Sequence, residues 1–201
     1  MWTILITGGM GVGKSQIIDL LRQKSQPVFQ ADNQAKKFLR TDSVCYSRLR
    51  KLFFESDLYL PNGEFNKKRL ARKIFQEPKR RIAMEAIIHP LVRKAFERFV
   101  GYQKKKGKNK VFYEAPLISM SIFDSCDKTV LVTCPLSIRK KRLLAKGWTE
   151  PDIEERFVGQ ILDSSVENQV DFIIDNSGSF NSLESQLDKI LSLLEGNGIV
   201  C

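Results

Sequence analysis

The sequence predicts an α/β fold: a five-stranded parallel sheet with helices on both faces, carrying a helical insertion and a basic helical segment. Three observations predict it. Five short apolar runs alternate with segments of helical periodicity. A glycine-rich turn joins the first run to the first helix. A helical block across residues 40–104 is too long for a simple crossover.

The elements follow in chain order. Residues 3–7, TILIT, form a β-branched apolar run of the kind buried in parallel sheets. After the glycine turn, Ile17, Ile18, Leu20 and Leu21 recur at helical spacing. Residues 27–30 make a short second strand. Helices are expected at 33–39, 44–54, 67–75 and 78–103, with the Pro61-Asn62-Gly63 turn between two of them and Pro90 kinking or breaking the last. Strands at 110–115 and 129–134 flank a short helix near 118–123. A basic helix over 136–146 stops at Gly147, and Thr149 with Asp152 opens another that carries Ile153, Phe157, Ile161 and Leu162. Residues 172–175, FIID, are the fifth strand, and an amphipathic helix over 182–194 follows. One domain over residues 1–201 is expected, with an insertion at 40–104 and a basic lid at 136–160.

Gly8, Gly13, Lys14 and Ser15 satisfy G-x-x-x-x-G-K-[ST], the phosphate-binding loop, placed between strand and helix as the motif requires. Glycine lets backbone approach an anion closely. The N–H groups from residue 9 to residue 15, including those of Gly9, Gly11 and Val12, can then converge on phosphates, and the following helix adds the positive end of its dipole. Lys14 suits the β- and γ-phosphates of ATP, and the Ser15 hydroxyl suits Mg²⁺.

Composition narrows the class. With 201 residues the chain can bury a sizeable core. No run approaches the roughly 18 apolar residues of a membrane span, and the first strand leads straight into the loop with no signal peptide before it. Four scattered cysteines without a C-x-x-C pair point to a reducing cytoplasm, and a single histidine excludes a histidine-based metal cluster. The net charge of +10 suits small polyanions or nucleic acid. The densest run, KKKGKNK at 104–110, reads as a solvated loop, since no aromatic residue inside it could stack a base. A monomer acting on a small molecule, without nucleic acid or membrane, is expected; an oligomer is left open.

The loop alone does not choose among its users. The N-K-x-D of a GTPase is missing, because Asn109-Lys110 is followed by Val111-Phe112. Small-molecule kinases pair the loop with an acid after the second strand and with a basic lid. Asp32, in QADNQA, is that acid: a carboxylate there can take a proton from an attacking hydroxyl, although aspartate also suits a helix N-cap. Arg139, Lys140, Lys141, Arg142 and Lys146 crowd the candidate lid helix, where a solvated basic face is the alternative, and Arg156 begins the return. Arginine is the better phosphate clamp, because its planar fork donates twice. A kinase for another nucleoside or nucleotide, and a basic ATP-gated nucleic-acid binder, are the competing readings.

Several stretches, in order, resemble dephospho-CoA kinases across roughly residues 3–178: TGGMGVGKS, QADNQA, KKRLARKIF, IIHPLV, APLI, IRKKRL, ERFVGQ and DFIIDNSG. That family transfers the γ-phosphoryl group of ATP to the ribose 3′-hydroxyl of dephospho-CoA, the last step of coenzyme A synthesis. The resemblance implies Asp32 as base, Gly11 to Gln16 as phosphate site, Arg142 and Arg156 as lid residues and Asn176 near the nucleotide base. It sets Lys67, His89 and Arg93 in the region facing the acceptor. The chain departs from the family pattern at Gln30, Met120, Lys146 and Val166; Glu114 is a candidate to replace charge lost at Met120.

Overall fold

β1 (Trp2–Thr7), β3 (Lys110–Glu114), β4 (Lys128–Thr133) and β5 (Phe172–Asp175) are the apolar runs expected to be strands, and β2 (Val28–Gln30) forms one edge. The structure, a computed structural model, describes residues 1–116, 126–158 and 166–196. The five strands make one parallel sheet in the order β2-β3-β1-β4-β5. Trp2 to Ile6 of β1 register with Lys110 to Glu114, and Ile4 to Thr7 register with Lys128 to Leu131. The connection from β1 leads to one side of the sheet and that from β4 to the other. The loop after β1 therefore sits at a switch point, where α/β sheets bind ligands.

The chain divides into two units, Met1–Phe29 with Gln103–Cys201, and Gln30–Tyr102. In the first, strand alternation sorts residues by face. Ile4, Ile6, Val130, Val132 and Ile174 pack with Ile17, Ile18, Leu20 and Leu21 of α1 (Lys14–Gln23), and with Leu183, Leu187 and Ile190 of the last helix (Phe180–Gly196). Leu131 instead packs with Val166, which is fully buried. The family departure at Val166 is thus a core residue, where a cation would be stranded.

The second unit holds α2 (Ala31–Lys37), α3 (Tyr46–Leu52), α4 (Lys67–Gln76) and most of α5 (Pro78–Lys105, which runs on past the unit's end), and Leu49, Phe53, Leu58, Phe65 and Leu70 are buried in it. Phe65 meets Tyr59 at 4.8 Å and Tyr46 at 5.7 Å between ring centroids.

Three expectations are corrected. α2 starts at Ala31, not 33, because β2 passes directly into it through an extended Gln30. α3 stops at Leu52, since Phe53 leaves helical geometry and is fully buried. α5 continues through Pro90 unbroken. Proline there leaves the Ala86 carbonyl without its helical donor, but Ala86, His89 and Pro90 all lie exposed, where water can serve it.

α6 (Leu136–Ala145) and α7 (Glu150–Val158) match the expected basic helix and its successor. The Thr149 hydroxyl accepts from the Asp152 N–H at 3.4 Å and donates to its carboxylate at 2.7 Å, as the sequence pattern anticipates. The remaining helix, α8, is Phe180–Gly196, opened by a bond from the Ser182 N–H to the Ser179 hydroxyl. The helix expected near 118–123, together with Met120, Ile161 and Leu162, lies outside the described residues. Among the described residues no helix is long and apolar enough to cross a membrane.

Candidate active site

The glycine loop turns sharply out of β1 and starts α1. Gly8, Gly11 and Gly13 have φ of 148°, 80° and 94°, values closed to most side chains. Space demands glycine as well: a Cβ on Gly8 would lie 2.3 Å from the Val132 carbonyl oxygen, and one on Gly13 2.1 Å from the Asn176 amide nitrogen. Gly8, Gly9 and Val12 are buried, Gly11, Gly13, Lys14 and Gln16 half-buried, and Ser15 exposed. Gly13 is the N-cap of α1 and supplies no side chain to its first N–H groups, and the first turn carries no acid. That end is left open to an anion.

Side chains hold the loop's carbonyls. The Lys14 ammonium folds back to donate to the Gly8 oxygen at 2.7 Å and the Gly9 oxygen at 3.3 Å. Arg139 Nε donates to the Met10 carbonyl at 2.7 Å. Arg142 donates to the Val12 carbonyl at 3.2 Å and the Asn176 carbonyl at 2.9 Å. The buried Asn176 amide donates to the same Val12 oxygen at 2.7 Å and to Gln16 Oε1 at 2.9 Å. Residues from α6 and from the end of β5 thus meet beneath a loop far away in sequence.

Of the other basic residues, Lys140 pairs with Glu150 and Glu154 at 3.4 Å each, tying α6 to α7. Arg156 stacks on Trp148 at 4.6 Å. Lys146 is exposed at the C-cap of α6. Arg139 was expected among the lid cations, not as a support for the loop. Its only signal was its place three residues before Arg142, on the same helical face.

Asp32, Lys67, His89 and Arg93 belong to the second unit and are all exposed. Gln30 is the N-cap of α2 and Asp32 lies in its first turn, so the capping alternative for Asp32 is not what is observed. Gln30 Oε1 accepts from the Asn33 amide at 2.9 Å. Lys67 opens α4 behind an Asn66 cap. His89 and Arg93 are one turn apart on α5, and Arg93 pairs with Glu97 at 3.7 Å. In the same unit, burial opposes ionisation of Glu55. Its own backbone N–H and the Arg80 and Lys73 side chains outweigh burial and hold the carboxyl down to about 2.

Among the described residues no three His, Cys, Asp or Glu side chains gather to hold a metal. A Mg²⁺ held by phosphate oxygens, water and one hydroxyl fits such a donor set, and Ser15, exposed at the head of α1, offers that hydroxyl.

A model of the dephospho-CoA kinase family matches residues 2–182. The chain belongs to the dephospho-CoA kinase family. The Bdellovibrio bacteriovorus dephospho-CoA kinase is 30% identical over 191 residues, covering 94% of each chain. A Thermus thermophilus protein of known structure, also 30% identical, superposes with a TM-score of 0.81 over 96% of this chain and 97% of its own. The dephospho-CoA kinase from Campylobacter jejuni, at 21% identity, shares the fold, with a TM-score of 0.70 over 97% and 98% of the two chains. Membership makes this chain a phosphotransferase that takes ATP as substrate.

Proposed function

We propose that the protein transfers the γ-phosphoryl group of ATP to the ribose 3′-hydroxyl of dephospho-CoA, giving coenzyme A and ADP. The observation that carries this is a phosphate loop whose carbonyls are held by Arg139, Arg142 and Asn176, in a chain of the dephospho-CoA kinase family.

The acceptor oxygen forms a bond to the γ-phosphorus while the bond to the β,γ-bridging oxygen breaks, and ADP leaves. Asp32 orients the hydroxyl and receives its proton. Loop N–H groups from Gly9 to Ser15, with Gln16 beside them, bind the phosphate chain. Lys14 leaves the Gly8 and Gly9 carbonyls for the phosphate oxygens, where charge develops. Mg²⁺, held with the Ser15 hydroxyl, would neutralise phosphate charge. Asn176 lies beside the nucleotide, Arg142 and Arg156 act with α6 and α7 as a lid over residues 136–160, and Lys67, His89 and Arg93 receive the acceptor. Free thiols at Cys45, Cys126 and Cys134 support a reducing cytoplasmic setting.

A coupled ADP-release assay with dephospho-CoA against a panel of nucleosides tests this. Turnover with dephospho-CoA well above every other acceptor is expected. A preference for another nucleoside would replace the acceptor, and DNA binding that falls steeply with salt would favour the nucleic-acid reading.

A further inference from the structure

We infer that Arg139 is a positioning residue for the nucleotide: by holding the Met10 carbonyl it aims the Gly11 N–H at the phosphate chain. This rests on the reading of the loop as the phosphate site. No described peptide bond is cis. In a planar trans peptide the C=O and the next N–H point in opposite directions. Pinning the Met10 oxygen therefore turns the Gly11 N–H to the opposite side.

The same logic runs along the loop. Arg142 and Asn176 hold the Val12 oxygen and so turn the Gly13 N–H, and Lys14 holds the Gly8 oxygen. The Lys14 contact is given up when phosphate arrives. The Arg139 contact need not be, because its side chain is buried and held between the loop and the Phe157 ring.

Arg139 is built for a fixed task. Its side chain is buried, with 6% of the residue exposed. Nε donates to Met10 while the guanidinium lies over the Phe157 ring of α7 at 5.0 Å. The α6 backbone also closes on the loop: a Cβ at Gly11 would lie 3.1 Å from both Arg139 Cβ and its carbonyl oxygen. N–H dipoles converging on one point repel each other until an anion arrives, and glycine offers little resistance. A carbonyl anchor fixed at both ends offsets that repulsion before binding, which lowers the ordering cost of nucleotide capture.

Two variants of similar length isolate the bond. Arg139→Met keeps the buried bulk but cannot donate. Arg139→Gln can donate to Met10 without a charge. Calorimetric titration of the full chain with Mg²⁺-ADP, and separately with dephospho-CoA, gives the readout. For Arg139→Met the ADP Kd should rise about tenfold or more, the scale of one charge-assisted hydrogen bond. Dephospho-CoA affinity should hold, and Arg139→Gln should recover much of the loss. Met and Gln variants that bind ADP equally well, or ADP and dephospho-CoA weakened in parallel, would overturn the role. Parent protein that fails to bind ADP would instead reject the phosphate-site reading itself.

Discussion

Arg142 and Asn176 donate to one acceptor, the Val12 carbonyl, and the Asn176 carbonyl in turn accepts from Arg142, closing a triangle of α6, the end of β5 and the loop. A lid arginine acting only after closure would affect turnover more than ATP affinity. The triangle adds a second effect. Arg142→Ala should lower turnover and also weaken ADP binding, and Asn176→Ala should reproduce the weaker binding. Because the two share an acceptor, the double variant should lose less than the sum of the singles, measured as ADP Kd. Fully additive losses would dissolve the triangle.

Lys14→Ala should slow turnover about 10²-fold or more, the scale of losing one preorganised contact to transition-state charge. Folding should be spared, because the ammonium is bonded to carbonyls of the loop itself, at the open end of α1. Single-turnover rates with a melting curve decide it. Near-normal turnover in a folded variant would remove the loop from the chemistry.

Asp32→Asn keeps the shape of the side chain and removes its charge. Turnover should fall by about 10²- to 10⁴-fold, the range for loss of a general base. ATP affinity and melting temperature should change little, since Asp32 is exposed and the N-cap position is Gln30. Activity within a fewfold of the parent would leave activation of the acceptor hydroxyl to another group.

Gly13→Ala tests the closeness of the loop to its support. Its Cβ would fall 2.1 Å from the Asn176 amide at a φ of 94°, so Asn176 must give way. Loss of ADP binding and a melting temperature lower by several degrees are expected, by calorimetry and thermal denaturation. Unchanged ADP affinity would mean that the Asn176 bond to Val12 is dispensable.

The Glu55 carboxyl, held at about 2 against an ordinary 4.5, contributes stability that is complete above about pH 4.5 and is lost as pH falls through about 2. Glu55→Gln should melt lower than the parent at pH 7 and show a flatter fall in melting temperature between those two values. Parallel acid profiles for parent and variant would show that Arg80 and Lys73 do not stabilise the carboxylate.

The central strands were legible because β-branched runs such as TILIT and TVLVT are both apolar and short. The loop was legible because glycine spacing is itself the geometry. Other features left weaker traces. Arg139 reaches a backbone carbonyl 129 positions away, and any residue at position 10 would present that same atom. Pro90 suggested a kink or a break by local rule, yet the helix is not broken, since an exposed turn tolerates the missing bond. Val166 reads as an anomaly until Leu131 is seen against it.

The order in which the chain leaves the ribosome bears on the division at Phe29–Gln30 and Tyr102–Gln103. β1 emerges well before its neighbours β3 and β4, which begin only at Lys110 and Lys128. During synthesis β1 therefore offers two unpaired edges and an apolar face to whatever is nearby, a hazard for aggregation. The contiguous stretch 30–102 has no such wait and can consolidate while the sheet is still incomplete. The helix that packs over this face of β1, α8, is made only after all five strands. Truncated nascent chains should accordingly need chaperone protection until α8 is released.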